Sequence, residues 1–254
     1  MGEVRRPFAK AIAVLRWLIE AGDGAYGVRE ISAAMGAPVT TTHRALIALL
    51  QEGLVAKDES NRYFLSFEAY RLGLALAPKA PWRELALPFV RRVARETGEM
   101  SAFTVLDPVR LKRFTAARME SDHAVTVVER GDWKPLHAGA SGLAVLAFLE
   151  EELREEVIAH RNSHGAPGAI ADANELRRAL EAVRQKGYAM TRGQRVPGVV
   201  GIGAPVFLAN GRVMGSLYVS VPEQRFVDDQ EAKISSSLVA CSAALSKQLA
   251  AAHH

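Results

Sequence analysis

Between Pro7 and Glu20 the apolar residues Phe8, Ile12, Leu15 and Ile19 recur at helical spacing, with Pro7 suited to a first-turn position. A second apolar set, Ala11, Val14 and Leu18, with Trp17 beside it, widens the stripe beyond the need of one small core. Such a helix packs on its own domain or also offers its spare face to a partner subunit. After a turn at Asp23–Gly27, a short helix from Val28 carries Ile31, Ala34 and Met35 and is stopped by Gly36-Ala37-Pro38. A third helix runs from Val39 to Glu52, with Gly53 in the usual place for a C-terminal glycine. Two short helices across a glycine-containing turn predict a helix-turn-helix. Strand-like Leu54–Lys57 and Arg62–Leu65, joined by the turn residues Asp58–Asn61, add a hairpin, and the sum is a winged helix.

The third helix sorts by face. Thr42, Leu46, Leu49, Leu50 and Gly53 follow one stripe; Thr40, Thr41, Arg44, Ala48 and Gln51 lie opposite. Threonine is a mediocre helix former, so three of them at a helix start weaken it without an evident packing gain. The plain alternative is a solvated surface helix; the adjoining hairpin favours DNA, whose major groove receives this end of a recognition helix. The candidate DNA contacts are Thr40, Thr41, Thr42, His43 and Arg44 on the helix, with Lys57 and Arg62 on the wing.

Farther on, a helix-like Tyr70–Leu76 is followed by Pro78 and Pro81, which mark a linker. A helix over Trp82–Thr97 leads to strand-like Met100–Leu106, Leu111–Met119 and Ala124–Arg130. Helices follow near Ser141–Phe148, Glu151–His160 and Asn174–Lys186. Strands Gly201–Leu208 and Val213–Val221 are joined by Ala209-Asn210-Gly211, and a long helix runs from Asp228 to Ala250. The expected fold class is α+β: a winged helix-turn-helix domain over 1–66, a linker helix over 67–82, and a C-terminal domain over 83–254 built on an antiparallel sheet.

Composition narrows the classes. With 49% hydrophobic and 24% charged residues in 254, disordered and fibrous chains are excluded. The single cysteine, Cys241, forbids an internal disulfide and fits a reducing, cytoplasmic setting. No apolar run of about 18 residues predicts a membrane span. The net charge of +4 hints at nucleic acid, yet residues 1–80 and 81–254 each carry +2, so no basic half exists. The case for DNA rests on where particular side chains sit.

The run Gly36-Ala37-Pro38-Val39-Thr40-Thr41-Thr42-His43-Arg44-Ala45-Leu46, followed by Gln51-Glu52-Gly53-Leu54-Val55, resembles the recognition-helix segment of IclR-type bacterial transcriptional regulators. Pro135–Ala147, Gly187-Tyr188-Ala189, Val196-Pro197-Gly198-Val199 and Ile202–Val206 resemble that family's sensor domain, so the likeness extends over nearly the whole chain. The resemblance implies a GAF-like C-terminal domain that binds a small metabolite and alters operator affinity. It implicates Ala140, Ser141, Thr191, Gly201, Tyr218 and Ser220 as effector-binding residues. The amides at Ala140 and Ser141 precede a helix and so favour an anionic group. From the residues alone, period two on Val213–Val221 groups Met214, Ser216, Tyr218 and Ser220 on one face, lining either a wet pocket or solvent. Where many family members carry acidic residues this chain reads Thr191-Arg192-Gly193-Gln194-Arg195, and Leu143 replaces a frequent lysine. Two arginines then flank the site, which tilts the effector towards an organic acid or aromatic metabolite.

Other motifs fall away. Gly139-Ala140-Ser141-Gly142-Leu143 lacks the final glycine of a hydrolase elbow, and Gly201-Ile202-Gly203 lacks the third glycine of a dinucleotide fingerprint. His160 and His164 are followed at once by Gly165 and Pro167, as in a frayed helix end. Cys241 reads as a buried small residue, and His123 beside Asp122 as a turn residue. The expected protein is a ligand-responsive DNA-binding regulator, without cofactor or metal. It should act on a palindromic operator as a homo-oligomer, a dimer or dimer of dimers, because one helix-turn-helix covers only a half-site. The alternative is an enzyme acting on a small organic acid with an N-terminal dimerisation module.

Overall fold

The computed structural model describes residues 5–22, 24–76, 80–121, 123, 133–161, 168–227 and 229–252. Two compact units divide the chain, Met1–Pro81 and Trp82–His254.

In the first unit, α1 (Arg5–Ala21), α2 (Val28–Ala34) and α3 (Val39–Gln51) precede a hairpin of β1 (Val55–Lys57) and β2 (Tyr63–Leu65), then α4 (Phe67–Leu76). Its core joins Ala11, Val14 and Leu18 of α1 to Ile31, Ala45, Leu46 and Leu49, closed by Val55 and Tyr63 of the hairpin. Each fully buried side chain of leucine size stabilises the unit by about 1.5–3 kcal/mol. Of the two apolar sets on α1, the second is the buried one; Phe8 and Ile19 of the first remain 71% and 59% exposed. The turn after α2 depends on Gly36, whose φ of +57° suits a residue without Cβ. There the amide of Gly36 donates to Ala33 O and that of Ala37 to Ser32 O, which ends α2 and sets the direction of α3.

The hairpin is tied down at both ends. Asp58 accepts hydrogen bonds from the amides of Ser60 (2.9 Å) and Arg62 (2.8 Å), and the backbones of Tyr26 and Tyr63 exchange two bonds of 2.8 Å each. By contrast, none of the residues of α4 is buried: Phe67, Tyr70, Leu74 and Leu76 are all exposed.

The second unit is α+β. Six antiparallel strands run in the order β5-β4-β3-β8-β7-β6, with β3 at Met100–Asp107, β4 at Lys112–Met119, β5 at Lys134–Pro135, β6 at Ala189–Arg192, β7 at Val199–Phe207 and β8 at Val213–Pro222. On one face α5 (Pro81–Thr97) and α9 (Asp229–Ala251) bury Val90, Val93, Leu238, Cys241 and Leu245 against Phe103, Ile202, Leu217 and Val219. On the other, α6 (Ala140–Leu146) lies on β7 and β8, backed by α7 (Glu151–Ala159) and α8 (Ala173–Lys186) through Leu143, Leu146, Ile158, Leu176 and Leu180. Strand β8 is therefore covered on both faces rather than facing solvent.

Two bulges alter the expected alternation. In β3–β4, Phe103 pairs with Ala117 and Thr104 with Thr115, which leaves Ala116 as the extra residue. In β7–β8, Val206 pairs with Gly215 and Phe207 with Val213, so Met214 is extra. Met214 consequently packs with the α5–α9 core and not with Ser216, Tyr218 and Ser220, as strict period two predicts. Strands β5 and β6 are additions to the expected set, and the strand expected at Ala124–Arg130 lies outside the described residues, as do Asp122 and His164.

Candidate functional site

The N-terminal unit presents the start of α3. Pro38 precedes it, and the first intrahelical bond runs from Thr42 N to Pro38 O (3.0 Å), so the amides of Val39, Thr40 and Thr41 have no intrahelical acceptor. Thr40, His43 and Arg44 are exposed and Thr41 half-buried. Thr42 corrects the expectation: at 2% exposure it faces the core, because 100° per residue places it on the stripe of Leu46 and Leu49. Its hydroxyl finds no partner among the described residues. On the wing, exposed Lys57 holds its Nζ 4.9 Å from the centroid of the Tyr63 ring. Arg62 is occupied locally, its Nε donating to Ala25 O (2.8 Å) and a terminal nitrogen to Glu30 (3.2 Å). Glu30 in turn accepts from the amide of Gly27 (3.3 Å), so Arg62 ties the wing to the start of α2.

In the second unit the six candidate residues come together. Ala140 and Ser141 at the start of α6, Thr191 on β6, Gly201 on β7, and Tyr218 and Ser220 on β8 all line one small cavity. Register explains the meeting: Thr191 pairs with Gly201 and Gly201 with Ser220 across three neighbouring strands, and Gly203 with Tyr218 one step along. Two glycines let α6 descend onto this row. A Cβ at Gly203 would lie 3.1 Å from the Ala140 carbonyl and the Ser141 amide, and one at Gly201 would lie 3.3 Å from the Ala140 Cβ.

Sequence reading did not single out the residues that close the cavity: Gly139, Gln194, Val196 and Val199. Of the two flanking arginines, Arg195 lines it, its aliphatic stem lying 2.9 Å from where a Gly139 Cβ would be. Arg192 goes elsewhere, over the Phe226 ring (4.9 Å) and beside Glu223 (3.7 Å). Arg192 ends β6 and the chain turns at Gly193 (φ +63°), so the two arginines leave on different paths. Inside, the Ala140 amide donates to Thr191 Oγ1 (3.1 Å), the Gly139 amide to Gln194 Oε1 (3.2 Å), and the Ser216 hydroxyl to Ser141 O (2.9 Å). The cavity measures about 30 Å³, room for about one water, whereas drug-sized ligands occupy roughly 300–1,000 Å³. A much larger groove of about 910 Å³ in the first unit, walled by Phe8, Ile12, Ala45, Ala48 and Leu72, lacks such converging hydroxyls.

Groups set aside earlier stay structural. Burial pushes the Cys241 thiol up, away from thiolate chemistry. His160 binds Glu156 O through Nδ1 (2.9 Å) at the end of α7.

Both units match one family. A sequence profile for the C-terminal domain of the bacterial transcriptional regulator IclR covers residues 76–247, and the IclR helix-turn-helix profile covers 8–59. The chain belongs to the IclR family. The glycerol operon regulatory protein of Streptomyces coelicolor is 28% identical over 247 residues, covering 95% of either chain. The solved IclR regulator from Alicyclobacillus acidocaldarius superposes with a TM-score of 0.79 at 26% identity, covering 96% of this chain and 98% of that one. An IclR homologue of Microbacterium hydrocarbonoxydans, complexed with 4-hydroxybenzoate, shares the fold with a TM-score of 0.77 at 24% identity, covering 96% and 99%. The curated IclR relatives are transcriptional regulators, and the chain is a regulator with a DNA-binding helix-turn-helix and an effector domain, not an enzyme. Among the described residues no helix is long and apolar enough to cross a membrane.

Proposed function

We propose that this IclR-family regulator acts in the cytoplasm, binds a palindromic operator as a homodimer or dimer of dimers, and senses a small organic acid or aromatic metabolite. The observation that carries the effector reading is the convergence of Ala140, Ser141, Thr191, Gly201, Tyr218 and Ser220 on one cavity that Arg195 also lines. Four hydroxyl-bearing side chains and a guanidinium in a small buried space suit a ligand with a carboxylate. The 4-hydroxybenzoate of the Microbacterium protein belongs to the same chemical class. A ligand of that size needs the Gln194–Val199 wall to yield, since the cavity holds so little volume.

On DNA, Thr40, Thr41, His43 and Arg44 meet the major groove and Lys57 meets phosphate; Thr42 supports α3 from within and Arg62 steadies the wing. A second copy covers the apolar residues exposed on α1 and α4, Phe8, Ile19, Phe67 and Tyr70, which brings two recognition helices to two half-sites. The test combines operator binding with ligand titration. Arg44→Ala weakens specific binding by about 1–3 kcal/mol if it reads a base, or lowers the salt slope by about one if it contacts phosphate. Aromatic and short aliphatic carboxylates raise the melting temperature, and Tyr218→Phe with Ser220→Ala removes the rise. Unchanged DNA affinity at every salt concentration defeats the first assignment; a retained melting shift in the double variant defeats the second.

A further inference from the structure

Arg113 is the second residue of β4 and is 1% exposed. A guanidinium so placed must have its donors satisfied, since a buried charge without partners is strongly destabilising. It is aimed at the loop ahead of α6: Nε donates to Ser141 Oγ (3.0 Å), one terminal nitrogen to Pro135 O, and the other to Ala138 O (3.1 Å). The loop is shaped around it. A Cβ on Gly142 would stand 2.5 Å from Leu136 O and 3.1 Å from a guanidinium nitrogen of Arg113.

A serine or threonine hydroxyl has one proton to give and two lone pairs to receive. Ser141 receives from Arg113 and Thr191 receives from the amide of Ala140. Neither proton meets an acceptor among the described residues, though both side chains line the cavity at 6% and 7% exposure. A hydroxyl with one lone pair held by a fixed donor keeps one proton and one lone pair, and beside a buried guanidinium the arrangement that gives the proton to an incoming oxygen is favoured over the one that receives a second donor.

We infer that Arg113, which does not itself line the cavity, is a positioning residue for effector specificity. By occupying one lone pair of Ser141 and setting a positive charge beside it, Arg113 biases that hydroxyl towards donating, as the Ala140 amide biases that of Thr191. The cavity then favours a ligand presenting an anionic or carbonyl oxygen over one presenting N–H at the same point. This rests on the cavity being the effector site, and adds to that reading the residue that sets the polarity of its wall.

The experiment titrates the full-length protein calorimetrically with acid and amide pairs of matched shape, from acetate and acetamide to 4-hydroxybenzoate and 4-hydroxybenzamide. The unsubstituted protein prefers the acid. In Arg113→Met, Ser141 loses the neighbouring charge and has both lone pairs open to an amide N–H, and the acid-to-amide ratio falls about tenfold, the effect of one hydrogen bond to a charged group. Ser141→Ala lowers the ratio by a similar factor, the double variant lowers it no further, and Arg113→Lys, which keeps a donor, restores most of it. A merely structural prop would weaken acid and amide alike, so an unchanged ratio in Arg113→Met, or multiplicative losses in the double variant, overturns the assignment. Should Arg113→Met not fold, Ser141→Ala and Thr191→Val decide: each lowers acid binding about tenfold with amide binding within threefold of the original, and equal losses overturn the inference. If the unsubstituted protein binds no member of any pair, the effector reading itself fails, and the role of Arg113 with it.

Discussion

The two units solve recognition in opposite ways. In the first, the candidate contacts apart from Lys57 of the wing sit on the 13 residues of α3, and Thr40, His43 and Arg44 stand exposed in advance of any partner. In the second, the contacts are drawn from residues 140–220, lie on four elements and are almost wholly buried. A groove in DNA comes to the protein as a large convex-walled surface, so long side chains on one helix are enough. A small ligand must be surrounded, and only strands and a helix brought together from distant parts of the chain surround it. Exposure is therefore the mark of the first site, and hydrogen-bond bookkeeping inside a buried wall the mark of the second.

That contrast can be broken most severely at Gly203. Valine there must push α6 off the sheet, since even a Cβ would stand 3.1 Å from the backbone of Ala140 and Ser141. Overpacking at such a contact destabilises by about 1–3 kcal/mol. Urea denaturation should show the loss, and ligand-induced stabilisation should vanish with it while operator affinity without ligand holds. Wild-type stability in Gly203→Val would mean that the helix is not seated as closely as described.

A middle-sized effect sharpens the other half. Because Thr42 buries a hydroxyl that meets no partner among the described residues, Thr42→Val removes a desolvation penalty and keeps the shape. Stability should rise by about 1 kcal/mol, with operator affinity unchanged in a mobility-shift titration. A clear loss of DNA affinity would return Thr42 to the interface.

The smallest effect concerns Glu96, at the α5–α9 contact. The Ser237 hydroxyl (2.5 Å) and then the Arg92 guanidinium (2.7 Å) hold its carboxyl below the usual range. A depressed folded-state pKa contributes stability that is present above the unfolded value and is lost as pH falls through the folded one. Glu96 is 39% exposed, so solvent screening limits the contribution to a few tenths of a kcal/mol. Comparing Glu96→Gln with the parent from pH 7 down to pH 3 should show a gap that closes with acid; a gap that widens contradicts the arrangement.

Much of this was legible because local rules act locally. Gly36 and Gly53 mark the helix ends of the first unit, and the stripe of Leu46 and Leu49 fixes which face of α3 turns inward. The spacing of Thr42 from Leu46 already places it on the buried stripe, apart from the exposed candidates of α3. In the second unit the cavity residues were named through family resemblance, and periodicity alone joined only Tyr218 with Ser220. What stayed hidden depends on contacts made far along the chain. The bulge at Ala116 puts Arg113 and Thr115 on the cavity side while Ala117 packs with Phe103, so alternation along β4 misleads. Arg192 and Arg195 are equivalent by composition and are separated only by the path of the chain after β6.

Those bulges also behave as a reading frame for the sheet. Removing Ala116 would restore simple alternation and shift one end of β4 by a residue, exchanging Arg113 and Thr115 with Lys112 and Phe114 behind Ser141 and Tyr218. One codon lost or gained at this half-buried point of the hairpin thus resets what stands behind the candidate cavity while every other strand keeps its sequence. Within one fold, such a bulge is a route to altered chemistry that substitution counts would not reveal.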